Sequence, residues 1–307
     1  MAEQVILREV GLRDGIQMAK RFLETERKRE WALRLKDAGI REIELTSFVP
    51  PKVVPQFADA DELAKCIPLL SGVVPSALVP NLKGAERALA AGFRHMNYVL
   101  SISDAHSQSN VRRSTDEAIA EFDRIAALKE TEAGRSMVLG VGLATAFGCT
   151  LQGYVDPERV WQVARHVVKG GADELIVADT VGYGNPAQVK MLLPPIIEIA
   201  AGHRVICHFH DTRGLGLANV AAALETGVRV FDSSLAGLGG CPFAPGATGN
   251  INTEDTAFML ESMGYRTGIS IEALLELRRD VESWLGDERY SGAIARAGLP
   301  KTYQAVQ

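Results

Sequence analysis

Short apolar runs alternate along the chain with longer stretches in which apolar residues recur every three to four positions among charges. The runs at 5–9, 40–47, 73–79, 96–102, 137–146, 175–178, 205–212 and 228–235 predict eight strands. The stretches 24–38, 59–66, 84–91, 114–129, 157–168, 186–200 and 217–226 predict helices between them, and further helices start at Thr253 and Ser270. Local punctuation agrees. Gly39 closes the first helix, Asp156-Pro157 supplies a cap and a first-turn proline, and Thr115-Asp116-Glu117 puts acids near a positive helix end. Strands alternating with helices imply parallel pairing with right-handed crossovers. Eight such units over 307 residues predict a (β/α)₈ TIM barrel, one catalytic domain spanning 1–307 with additional C-terminal helices from about 270. A doubly wound open sheet is the alternative, weakened because no G-x-G-x-x-G turn follows the first strand.

In such a barrel the reacting groups gather at the C-terminal ends of the strands. The seventh run ends Cys207-His208-Phe209-His210-Asp211, and side chains at i and i+2 of a strand share a face. Two imidazoles on one face, joined by a carboxylate from elsewhere in the fold, can bind a divalent cation. Other strand ends are polar too: Arg13-Asp14 after the first, Glu44 to Ser47, Ser101 to His106, and Asp179-Thr180. Taken singly, Asp14 could organise a turn, Glu44 could pair with a barrel arginine and Asp179 could cap a helix. Their convergence on one mouth points instead to a site. After the eighth strand comes a glycine-rich stretch from Gly237 to Asn250, suited to a lid, with Cys241 in its middle. Cys66, Cys149 and Cys207 lack that setting and read as structural, with Cys207 directed away from the metal-facing side.

Composition narrows the partners. The chain carries 33 basic and 38 acidic residues, a formal net charge of −5, which argues against nucleic acid as the main partner. Its four cysteines form no C-x-x-C pair, so neither a zinc knuckle nor a disulfide framework is indicated. Neither a signal peptide nor an apolar run of membrane-spanning length is apparent, and a soluble cytoplasmic protein is expected.

The stretches Glu9-Val10-Gly11-Leu12-Arg13-Asp14-Gly15, Thr46 to Lys52, Pro80 to Gly84, Asp179-Thr180-Val181-Gly182, His208 to Asp211 and Gly237 to Asn250 resemble the 3-hydroxy-3-methylglutaryl-CoA lyases. These belong to a wider group of barrel metalloenzymes that includes isopropylmalate and homocitrate synthases. The resemblance runs from about Val5 to Trp284. It implies that Asp14, His208, His210 and Asn250 ligate Mg²⁺ or Mn²⁺, with Asp14 or His208 as the base. It further implies Arg13 as the catalytic arginine, Cys241 as the loop acid and Glu44 as the carboxylate that orders the site. Lys20 and Asn110, with Thr180, fall where the family meets the acyl-CoA. The implied reaction breaks the C2–C3 bond of hydroxymethylglutaryl-CoA to give acetyl-CoA and acetoacetate, in a homodimer or larger homo-oligomer. One departure stands out. The family usually carries an arginine and a tyrosine near the start of the fifth strand, where this chain has Gly140 and Gly142. A wider, less polar pocket wall is therefore expected. A related substrate such as citramalyl-CoA is the main alternative, and a Claisen-type synthase on the same barrel is another.

Overall fold

A computed structural model describes residues 2–240 and 249–306. The eight runs form β1 (Ile6–Glu9), β2 (Glu42–Ser47), β3 (Val74–Leu78), β4 (His95–Ser101), β5 (Val138–Ala144), β6 (Glu174–Asp179), β7 (Arg204–Phe209) and β8 (Val230–Ser233). All neighbours pair in parallel and in chain order, and β8 closes on β1 through Ile6↔Val230 to Glu9↔Ser233. The helices are α1 (Thr25–Asp37), α2 (Ala60–Leu63), α3 (Leu82–Ala90), α4 (Asp104–Val111), α5 (Thr115–Ala126), α6 (Pro157–Lys169), α7 (Pro186–Ala200), α8 (Gly216–Glu225), α9 (Thr253–Ser262), α10 (Ile271–Leu285) and α11 (Ile294–Ala297). The chain is thus a (β/α)₈ TIM barrel. Among the described residues no helix is long and apolar enough to cross a membrane.

The two faces of each strand have different neighbours. Leu7, Ile43, Leu45, Met96, Leu139, Val141, Leu175, Val177 and Phe231 join the helices in one continuous apolar core. The inward face is largely polar. Ile6, Ile176, Ile206 and Val230 make a small apolar cluster there. Arg8, Glu42, Glu44, Ser76, His95, Asn97, Glu174 and Asp232 are also buried. The charges among them are paired. Arg204 bridges Glu42 at 2.8 Å and Glu174 at 2.9 Å, and His95 meets Glu174 at 2.8 Å.

The helix α4 does not follow from the sequence pattern. It buries only His106 and Ser107 and so carries no apolar stripe. Its start is fixed locally, where the Ser103 hydroxyl accepts from the His106 backbone N–H at 3.2 Å. The sequence expectation of a bare polar strand end at 101–106 is replaced by this cap and helix.

Gly39 turns the chain from α1 into β2 with φ +98°, and a Cβ there would stand 2.2 Å from the Gly268 carbonyl oxygen. Both the backbone conformation and the close approach exclude a side chain. Gly39→Ala is expected to destabilise the protein by on the order of 1–3 kcal/mol. Denaturant titration checks this, and an unchanged midpoint contradicts it.

Candidate metal centre and active site

After β1 the backbone tightens into a buried turn, Gly11–Gly15. The Val10 carbonyl accepts from the backbone N–H groups of Arg13, Asp14 and Gly15 at 3.0, 2.7 and 3.2 Å. The turn brings Arg13 and Asp14 to the barrel mouth. At the end of β7, strand alternation puts His208 and His210 on one side, with their Nε2 atoms 3.0 Å apart. Asp14 Oδ2 lies 3.7 Å from His210 Nε2. One ligand atom each from Asp14, His208 and His210 falls within 4.8 Å of the others.

Asn250 arrives from the far side of the loop after β8. An antiparallel bridge sets it opposite His210. The Ile251 N–H donates to the Phe209 carbonyl at 3.1 Å, and the Asp211 N–H to the Gly249 carbonyl at 3.0 Å. Its Nδ2 donates to Asp14 Oδ2 at 2.7 Å and to the Leu238 carbonyl at 2.9 Å. Those two bonds fix the amide orientation. They leave Oδ1 buried with no hydrogen-bond partner among the described residues.

This arrangement fits a cation. His208 Nδ1 is 3.0 Å from Asp232 Oδ2, so the ring donates there and in its neutral form carries its lone pair on Nε2. That lone pair faces His210 Nε2, with the Asp14 carboxylate and the orphaned Asn250 oxygen close by. Two imidazole nitrogens and a carboxylate oxygen gathered within 4.8 Å, with an unsatisfied amide oxygen on a residue bonded to that carboxylate, suit a divalent ion better than they suit one another.

A second ring of charges holds these groups. Glu44 accepts from Arg13 Nε through one oxygen and from Asn97 Nδ2 at 2.7 Å through the other. Arg13 Nη1 also donates to Asp14 Oδ1 at 2.5 Å. Burial alone would raise the Asp14 pKa, but Arg13 and the two histidines hold it far below the usual carboxylate range. Burial alone would lower the His208 pKa, and Asp232 on Nδ1 with Asp14 nearby raises it instead. Asp232 is likewise held low against its burial by Arg8 and His208. Sequence reasoning missed Arg8 and Asp232. Their signal was a charge inside each of the apolar runs 5–9 and 228–235, where Glu9 follows Arg8 and Arg229 shares the run with Asp232.

Asp14, His208, His210, Asn250, Arg13 and Glu44 therefore form one cluster. The other expected positions engage different surroundings. Lys20 is exposed and donates from Nζ to the Asp287 carbonyl at 2.8 Å. Asn110 is exposed on α4. The Thr180 hydroxyl accepts from the Thr145 N–H at 2.9 Å. Asp179 accepts from the N–H groups of Tyr183 and Gly184 at 2.8 and 3.0 Å and so shapes the turn after β6. Cys66, Cys149 and Cys207 are buried and unbridged. Cys241 lies outside the described residues.

The expectation of a wider, less polar wall at β5 is corrected. A Cβ on Gly140 would come 2.5 Å from Asn97 Oδ1 and 3.4 Å from Glu174 Oε2, and one on Gly142 would come 2.9 Å from Val99 Cγ2. Neighbouring side chains already occupy the space, and at Gly140 they are polar.

Two further carboxylates anchor the base of the loop after β8. Glu9 accepts from the N–H groups of Gly11 and Leu235 at 2.8 and 3.0 Å and from the Thr253 hydroxyl at 2.6 Å. Glu254 accepts from the Ala236 N–H at 3.1 Å and pairs with Arg278 at 3.3 Å. Burial pushes both up to about 7 from 4.5. Between those values the folded chain binds more protons than the unfolded one, so this contribution to stability falls as pH rises from about 4.5 to about 7. Glu254→Gln keeps an acceptor and removes the titration. Its metal-free stability is expected to decline less steeply than that of the wild type across that window. Denaturant midpoints near pH 5 and pH 7 compare the two, and parallel curves count against the assignment.

Residues 4–281 match the HMGL-like family model. The chain is 38% identical to hydroxymethylglutaryl-CoA lyase of Bacillus subtilis over 92% of its own length and 94% of that protein. It is 40% identical to (R)-citramalyl-CoA lyase of Chloroflexus aurantiacus over 92% of each. The structure superposes with a TM-score of 0.92, at 36% identity, on an HMG-CoA lyase from Acinetobacter baumannii in complex with coenzyme A and 3-methylmalate, covering 99% of this chain and 98% of that one. On its sequence, its fold and the cluster at the barrel mouth, the chain belongs to the HMGL-like family.

Proposed function

We propose that this protein is a divalent-metal-dependent carbon–carbon lyase that cleaves 3-hydroxy-3-methylglutaryl-CoA to acetyl-CoA and acetoacetate. The observation that carries the reading is the Asp14–His208–His210 cluster with the orphaned Asn250 oxygen beside it, in a chain related to lyases of this class along most of its length. Asp14, His208, His210 and Asn250 would hold Mg²⁺ or Mn²⁺, which when bound supplies Lewis acidity toward the substrate's tertiary hydroxyl. Asp14 and His208 are the two groups that would accept the hydroxyl proton. Loss of that proton drives formation of the ketone and breaks C2–C3, leaving its electron pair on the thioester as an enolate. Arg13, held by Glu44 and Asp14, would face the developing negative charge without having to reorganise. Cys241 would return a proton to C2 and release acetyl-CoA.

In this reading Lys20, Asn110 and Thr180 contact the acyl-CoA. The exposed Lys20 ammonium suits a phosphate oxygen of the nucleotide, and the Acinetobacter relative holds coenzyme A beside a hydroxy dicarboxylate. The resemblance alone supports a homodimer or larger homo-oligomer in the cytoplasm. A second substrate is favoured by one observation. The Chloroflexus citramalyl-CoA lyase is as similar to this chain as the hydroxymethylglutaryl-CoA enzymes are. Citramalyl-CoA would yield acetyl-CoA and pyruvate, so the keto acid identifies the substrate.

Chelation is expected to abolish cleavage of hydroxymethylglutaryl-CoA, and Mn²⁺ or Mg²⁺ to restore it with acetoacetate as the second product. His210→Ala is expected to keep the fold and lose at least about 100-fold in kcat/KM. Full turnover by metal-free protein sinks the reading, and pyruvate from citramalyl-CoA at a higher kcat/KM moves it to the second substrate.

Alkylation of Cys241 is expected to inactivate the enzyme, with acyl-CoA protecting it, because a free thiol that meets substrate reacts when the site is empty. Mass spectrometry of the labelled peptide checks this. Inactivation that tracks Cys149 instead removes Cys241 from the mechanism.

A further inference from the structure

Arg8 projects from β1 into the centre of the barrel and is 1% exposed. Its Nε and Nη2 donate to the two oxygens of Asp232 at 2.7 and 2.9 Å, a bidentate pair. Asp232 Oδ2 in turn takes the His208 Nδ1 proton at 3.0 Å. On its other side Arg8 Nη1 donates to Asn97 Oδ1 at 3.4 Å. Asn97 Nδ2 donates to Glu44 Oε1 at 2.7 Å, and the second Glu44 oxygen accepts from Arg13 Nε. One guanidinium therefore reaches the histidine of the cluster through one carboxylate, and the arginine of the cluster through an amide and another carboxylate. Glu174 also lies 3.8 Å from Arg8, but its closer partners are His95 and Arg204.

The glycine at 140 is part of the same arrangement. Asn97 pairs in register with Gly140, and a Cβ there would meet Asn97 Oδ1 at 2.5 Å. No side chain fits on β5 at this level while Asn97 stands where Arg8 and Glu44 hold it. The cation at the centre of this barrel comes from β1.

We propose that Arg8 is a positioning residue that sets the ring orientation of His208 through Asp232 and the rotamer of Arg13 through Asn97 and Glu44. The proposal rests on the metal-dependent lyase reading. An imidazole that donates Nδ1–H to a fixed carboxylate presents its Nε2 lone pair in one direction. The bidentate guanidinium fixes the plane of that carboxylate, which no other charged side chain among the described residues pairs with except His208 itself.

Arg8→Met alone would strand Asp232, so the test uses the double variant Arg8→Met/Asp232→Leu, which exchanges a buried ion pair for apolar groups. It also uses Arg8→Lys, which keeps the charge and loses the fork. The first readout is Mn²⁺ uptake by metal-free protein, followed by electron paramagnetic resonance. The second is the split between kcat and KM at saturating Mn²⁺. The double variant is expected to fold and to bind Mn²⁺ about 10–100-fold more weakly. At saturating metal its kcat is expected to fall while KM for acyl-CoA stays near the wild-type value. Arg8→Lys is expected to lie between. A folded double variant with wild-type Mn²⁺ affinity and kcat overturns the proposal. If the double variant does not fold, wild-type values in Arg8→Lys overturn it equally. The two readings fail separately: a wild type that takes up Mn²⁺ yet cleaves no hydroxyacyl-CoA removes the lyase and leaves the role of Arg8 intact.

Discussion

The ion pair between Arg8 and Asp232 is the contact on which the rest of the site depends. Both side chains are almost wholly shielded from water, and neither could remain charged there alone. The barrel meets this constraint by pairing both of them twice: Asp232 with Arg8 and His208, and Arg8 with Asp232 and, farther off, Glu174. From Arg204 at the start of β7, contacts run through Glu174, Arg8, Asp232 and His208 to the mouth, and a branch runs through Asn97 and Glu44 to Arg13. Removing Arg8 leaves Asp232 with His208 as its one charged partner among the described residues, so the network tolerates change in pairs more readily than singly.

The apolar layer around the strands was legible because it obeys a simple rule. Strands covered by helices read as nearly continuous hydrophobic runs, and all eight lie where those runs predict. The His208-Phe209-His210 pattern was legible for the same kind of reason, since alternation along a strand fixes which side chains share a face. Asp14 could be joined to it through the convergence of polar strand ends on one mouth, and Asn250 only through resemblance. They lie 236 positions apart in the chain, and they meet because a bridge to His210 at the loop base sets Asn250 where its amide donates to Asp14.

Other parts were hidden by equally definite physics. A charge in an apolar run, such as Asp232, can face solvent, an interior partner or a ligand, and periodicity does not distinguish these. The helix α4 carries no stripe to detect. The glycines of β5 were misread as empty space because the sequence shows what is missing at a position and not what leans into it. Asn97 and Val99 come from the adjacent strand and fill the room.

The contact between Gly140 and Asn97 also constrains how such a chain can change over time. With Asn97 in place, a mutation that puts any side chain at 140 meets a clash before a new charge there can be of use. With Arg8 removed first, Asp232 loses its counter-ion before another is supplied. Neither order of single substitutions between a cation on β5 and a cation on β1 is free of a damaged intermediate. The choice of strand therefore behaves as a ratchet, and descendants of this chain should inherit Arg8 and Gly140 together.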